Sequence, residues 1–251
     1  MTRNQTEGPQ ERAQRFAEEM RAAYGAELAS VVLYGSAARG EYRPGVSDLN
    51  VLVLVREVSP ASLRRASDAA RAWVAEGNPP PLMMSTDEWR GSADVWAIEL
   101  ADMRDAHLTV AGADPFEGID IRLEDLRMQC ERELKGKQIQ LRERYLLFAG
   151  EPAELGELLT RSFSTFLVLF RTVLRLGGEG ARDAEIVVRQ VAERVGFDPA
   201  PLLEVHRARA GGQKLKPQAD APVVAGYLDA VSRVVAYVDR LVHGGAELPR
   251  A

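Results

Sequence analysis

Asp48 and Asn50 stand two residues apart in Ser47-Asp48-Leu49-Asn50, where an apolar run over residues 49–55 begins. Residues two apart on an extended strand share a face. A carboxylate and a carboxamide oxygen therefore point the same way. Upstream, the run Ser-Val-Val-Leu-Tyr at 30–34 ends on Gly35-Ser36. A glycine lets the backbone turn sharply and approach a ligand closely, and the serine adds a hydroxyl and an N–H. If residues 36–41 make a first helical turn, unpaired N–H groups and the positive end of a helix dipole join them. Such a corner suits a phosphate. Arg39, about one turn on, adds a charge-assisted contact. A carboxylate beside a triphosphate is what Mg2+ requires, since hard cations take oxygen ligands, commonly one or two carboxylates plus phosphate oxygens. The chemistry these residue types can do together is displacement at phosphorus, which two such ions can clamp in line.

Each of these residues also has a purely structural role open to it. A Gly-Ser pair after a strand is often only a turn. Asp48 suits an Asx-type turn or a strand entry. Asn50 inside an apolar strand is costly unless paired, so it either faces a cleft or bonds a neighbouring loop. Glu99, flanked by Ile98 and Leu100, is either a further carboxylate for the same site or half of a salt bridge. Asp102, Arg104 and His107 read as an exposed helix end. The three histidines are far apart and Cys130 is the single cysteine. That disfavours a zinc site, excludes an intrachain disulfide and fits a reducing cytoplasm.

The elements that must position these groups follow from periodicity. Residues 1–8 are polar and read as a disordered tail. From Pro9 to about Leu28 a helix is expected, because Phe16, Met20 and Tyr24 fall four apart among charges. The runs 30–35 and 49–55 are strands, rich in β-branched residues. Gly40, Pro44 and Gly45 between them mark a turn region, which predicts an antiparallel pair. Ser59-Pro60 starts a helix to about Glu76, and Gly-Asn-Pro-Pro-Pro breaks it. A third strand is expected at 81–86, then a short helix capped by the Thr86 hydroxyl. Residues 93–103 fit either a strand or a helix. From about residue 120 the pattern turns helical throughout: 122–148, 152–176, 183–195, 199–209 and 223–243. The expected organisation is a mixed domain over 9–118 followed by an α-bundle over 119–251.

Composition narrows the class. Of 251 residues 46% are hydrophobic and 27% charged, and the net charge is −5. That balance is ordinary for a globular chain and points away from general nucleic-acid binding. No apolar run reaches the roughly 20 residues of a membrane span. The N-terminus has no apolar signal core, so a cytoplasmic location with no membrane partner is expected. The charged helix at 131–144 reads as a solvated face, with Lys135, Lys137 or Arg142 as the alternative contacts to an anionic ligand. The apolar run 166–174 reads as bundle core or as a face shared in a homodimer.

The order Gly-Ser-x-x-x-Gly, then Ser-Asp-x-Asn leading into an apolar strand, resembles the DNA polymerase β-type nucleotidyltransferase superfamily. It is most similar to the small members that adenylylate antibiotics and to minimal nucleotidyltransferase modules. The motif covers residues 33–53. In those families an Asp-x-Asp pair follows the Gly-Ser turn, and a third carboxylate lies on a later strand. The resemblance implies an α+β fold, a mixed sheet with flanking helices followed by an all-α bundle. It implies transfer of NMP from an NTP, with Mg2+, to a small-molecule or protein acceptor. Residue by residue, Gly35, Ser36, Arg39 and Ser47 would hold the nucleotide and Asp48 would be the first metal ligand. Asn50 takes the place of the second aspartate, as a ligand without charge. The third carboxylate belongs by order on the strand where Leu82, Met83 and Met84 stand, so Glu99 becomes the candidate ligand or base. The alternative is a catalytically degenerate nucleotidyltransferase, a pseudoenzyme that binds a nucleotide or a protein partner. A fused helical ribonuclease is disfavoured, because no Arg precedes His206 or His243 at the spacing such enzymes use.

Overall fold

The computed structural model describes residues 7–42 and 47–243. The chain forms two compact units, 1–122 and 123–251. Of the expected N-terminal tail, residues 1–6 lie outside the described residues. Glu7 pairs with Arg15 at 3.2 Å, and Gly8 opens α1 (Pro9–Tyr24), its N–H donating to Glu11 Oε2 at 2.9 Å.

Unit 1 is built on a four-stranded sheet of order β3-β2-β1-β4. The strands are β1 (Leu28–Tyr34), β2 (Asn50–Val55), β3 (Leu82–Ser85) and β4 (His107–Gly112). β1 is antiparallel to β2, as their turn region predicts, and to β4; β2 and β3 run parallel. Both faces of the sheet are covered, which is why β1 and β2 read as nearly unbroken apolar runs. On one face Val31, Leu33, Val51, Val53 and Val55 pack with Phe16, Met20 and Tyr24 of α1 and Trp73 of α2 (Pro60–Ala75). On the other, Val32, Leu52 and Leu54 pack with Trp89 of α3 (Thr86–Gly91) and with Leu100 and Met103 of α4 (Ala97–Asp105).

The structure decides three local points. The cap of α3 is Ser85, not Thr86: the Glu88 N–H donates to Ser85 Oγ at 3.1 Å, and the Ser85 N–H donates to Glu88 Oε2 at 2.7 Å. That reciprocal pair satisfies two helix-end donors at once, and it occupies Glu88. The run 93–103 resolves as helix from Ala97 onward. β4 follows it immediately, a strand that lies at the sheet edge and is mostly half-buried, so its hydrophobic pattern is weak.

Unit 2 holds α5 (Leu123–Phe148), α6 (Pro152–Leu176), α7 (Ala184–Val195), α8 (Ala200–Ala210) and α9 (Pro222–His243). The run 166–174 is spent on this unit's own core, where Phe166, Phe170, Val173 and Leu174 are buried. Gly156 of α6 is required by packing, since a Cβ there would lie 1.9 Å from the Leu215 carbonyl oxygen. Two of the three α5 cations considered as ligand contacts are engaged within the unit, while Lys137 reaches only Gln140 among the described residues, at 3.5 Å. Lys135 pairs with Glu131 and Asp239, each at 2.6 Å, and Arg142 Nη2 donates to Ser232 Oγ at 3.4 Å.

Candidate active site

The corner after β1 is built by sheet register. Tyr34 pairs with Asn50 across the β1–β2 ladder, so the next residue, Gly35, turns beside the Asn50 side chain. Its φ is +82°, and a Cβ there would stand 3.4 Å from Asn50 Nδ2. The left-handed backbone favours glycine. The Gly35 N–H is already used, donating to the Ala106 carbonyl at 3.1 Å.

Residues 35–40 form a closed turn rather than the start of a helix. The Arg39 N–H donates to Gly35 O at 3.0 Å, the Gly40 N–H to Ala37 O at 3.3 Å and the Glu41 N–H to Ser36 O at 2.9 Å. Gly40, with φ +80°, ends it. The expected helix dipole therefore has no helix behind it. What the turn does provide is a run of free donors: among the described residues no acceptor meets the backbone N–H groups of Ser36, Ala37 and Ala38. Successive unpaired amides in a turn make an anion-binding nest.

Asp48 and Asn50 flank a buried residue. Leu49 is fully buried, with its N–H donating to Asn78 Oδ1 at 3.4 Å. Asp48 is exposed, and Ser47 and Asn50 are half-buried. Asn50 shares its sheet face with Leu52 and Leu54. Across the parallel ladder Leu52 faces Leu82 and Leu54 faces Met84, and all four belong to the cluster around Trp89 and Leu100. The neighbouring strand thus carries apolar side chains on this face. Among the described residues no group of three or more His, Cys, Asp and Glu side chains could hold a metal ion. The donors at the corner are one carboxylate and one amide.

Glu99 lies exposed in the first turn of α4. One turn further on, Asp102 takes the side chain of Arg39. Nη2–Oδ2 is 3.0 Å and Nη1–Oδ1 is 3.4 Å, and the two side chains are only 9% and 15% exposed. Asp102 is the residue that sequence reasoning misplaced, as part of an exposed helix end. No local signal could have found it, because its partner is 63 residues away.

Residues 13–100 match the family model of the nucleotidyltransferase domain. These residues form a domain of the polymerase β-like nucleotidyltransferase superfamily. The matched span holds most of α1, β1, the Gly35–Gly40 turn, Asp48, Asn50 and β3; Asp102 and β4 lie beyond it. The nucleotidyltransferase fold is also seen in the structural comparison. The crystal structure of a spectinomycin adenyltransferase from Enterococcus faecialis is similar with a TM-score of 0.57 at 15% sequence identity, covering 88% of this chain and 98% of that one. That likeness spans both units. No curated protein sequence matches the chain.

Proposed function

We propose that the protein transfers a nucleoside monophosphate from an NTP to a hydroxyl group of a small-molecule or protein acceptor, with Mg2+ carried by the nucleotide. The observation that carries this is the Gly35–Gly40 turn, with three amides that meet no acceptor among the described residues and with Asn50 against its first residue, inside a nucleotidyltransferase domain. The amides of Ser36, Ala37 and Ala38 and the Ser36 hydroxyl would bind the phosphates, and Ser47 would line the same corner. Asp48 and the Asn50 amide oxygen would hold the Mg2+ of the nucleotide, which supplies charge neutralisation at phosphorus. This small donor set fits an ion that keeps waters and phosphate oxygens as most of its ligands. The chain's own contribution would be positioning and electrostatics, which supply most of the rate in such reactions. Glu99, on the first turn of α4, would serve as the base. The structural neighbour was crystallised with ATP and spectinomycin, which favours ATP and a small molecule as the first substrates to try. A buried single thiol and a nucleotide substrate suit the cytoplasm.

The second reading is a pseudoenzyme that binds nucleotide without turning it over. The observation that favours it is the apolar face of β3, where Leu82 and Met84 adjoin Leu52 and Leu54.

Incubation with each NTP, Mg2+ and an acceptor panel including spectinomycin separates the two. Pyrophosphate release that Asp48→Ala lowers at least about a hundredfold, the scale of losing a charge-stabilising group, supports the transferase. Nucleotide binding with no pyrophosphate under any condition supports the pseudoenzyme, and absence of both overturns the nucleotide site altogether.

A further inference from the structure

We propose that Asp102 is the positioning residue of the phosphate-binding turn, acting through Arg39. The inference rests on the reading of residues 35–40 as a phosphate site. The turn is tied to α4 at two points. The Gly35 N–H donates to the Ala106 carbonyl, and the Arg39 guanidinium forks onto the Asp102 carboxylate. Asp102 lies in the last turn of α4 and Ala106 is its C-cap, so both ties come from the end of that helix. The fork uses one N–H of each terminal nitrogen of Arg39. Its Nε–H, by contrast, is buried and has no hydrogen-bond acceptor among the described residues; Glu41 Oε2 is 4.0 Å away. A buried donor without a partner is rare in a folded chain. The Arg39 side chain is 91% buried by its 9% exposure, so water satisfies that N–H poorly, whereas an anion in the turn would complete it. Asp102 thus fixes the guanidinium while Nε–H stays without an acceptor, and that is the donor the proposal assigns to a phosphate oxygen. It also keeps the turn from opening, because an unpaired buried guanidinium would move toward water.

The test uses the full-length protein and two probes, α,β-methylene-ATP with Mg2+ and inorganic tripolyphosphate, by calorimetry. Asp102→Asn keeps the shape of the side chain and removes its charge. It is expected to weaken both probes about tenfold, the scale of one charge-assisted contact, and to lower thermal stability as well, because it leaves a buried guanidinium without its counter-charge. Hydrogen exchange over residues 35–41 of the ligand-free protein should become several times faster than in the unaltered chain, while exchange in α1 stays the same. Asp102→Glu, which keeps the charge, should stay within about threefold of the unaltered affinity. Arg39→Lys, which has neither the fork nor the Nε–H, should match Asp102→Asn and carries the test if that variant does not fold. If the unaltered protein binds neither probe, the phosphate-site reading falls and this role with it. If the unaltered protein binds both, and Asp102→Asn or Arg39→Lys binds as tightly or more tightly, the positioning role alone is overturned. A loss in Asp102→Glu as large as that in Asp102→Asn also overturns it, since packing at 102 would then explain everything.

Discussion

At Asn50 an amide oxygen can coordinate a cation, but it neutralises none of its charge. Asn50→Asp should therefore lower the Mg2+ concentration needed for half-maximal pyrophosphate release and raise the rate about tenfold or more, since a second carboxylate completes the usual ligand set for a nucleotide-bound ion. A Mg2+ titration of both proteins checks this; an unchanged midpoint would mean that Asn50 does not face the ion. Gly35 is limited in two ways, by its φ of +82° and by Asn50 Nδ2 3.4 Å from where a Cβ would stand. Gly35→Ala is expected to cost about 1–2 kcal/mol from the left-handed backbone alone, read from urea unfolding. Cys130 is buried on α5, and burial pushes its thiol up to about 12, because the thiolate is poorly solvated there. The native protein should thus resist a thiol reagent at pH 8 and react once unfolded. The folded value lies above the ordinary 9.0, so the contribution to stability is complete below about pH 9 and is lost as pH rises toward 12. Denaturant midpoints between pH 8 and 10.5 should fall accordingly, and Cys130→Ala should flatten that slope.

Elements in unit 1 are held by a few local devices whose removal has calculable size. Ser85 closes the N-terminus of α3 through the reciprocal pair with Glu88. Ser85→Ala should cost about 1 kcal/mol, the usual value for losing an N-cap. β4 is held against β1 by a close backbone approach at Gly112, where a Cβ would lie 1.9 Å from the Ala29 carbonyl oxygen and φ is +77°. Gly112→Ala is therefore expected to cost at least about 2 kcal/mol, combining overpacking with an unfavourable φ. Thermal unfolding monitored at the tryptophans reads both losses, because Trp73 and Trp89 sit in the two clusters of this unit. These elements also show how far local pattern reaches. β1, β2, α1 and α2 are legible because each carries a strong period of its own. β4 is not, since an edge strand next to a helix end buries little and carries no alternation.

For the whole molecule, the two units have separate cores. Unit 2 fills its interior with Phe163, Phe166, Phe170 and Tyr227, all at most 1% exposed. A fragment of residues 123–251 should therefore fold by itself, with a helical circular-dichroism spectrum and a cooperative thermal transition. A non-cooperative melt would show that this core needs the nucleotidyltransferase domain. Among the described residues no helix is long and apolar enough to cross a membrane, in agreement with the hydropathy of the sequence.

The sequence by itself determined what depends on near neighbours. Strand alternation put Asp48 and Asn50 on one side of Leu49, the glycines set the sharp turn at 35–40, and helical patterning built the second half as helices. Those features follow from sterics over a few residues, so a linear string contains them. Only the tertiary structure decided which charges meet. Asp102 looks like a solvated acid on a helix end until packing brings Arg39 to it. Leu82 and Met84 become the neighbours of the Asn50 face only once β3 takes its parallel place beside β2. Ion pairing and burial are properties of long-range packing, where chain separation carries no information, and the candidate site is assembled at that level.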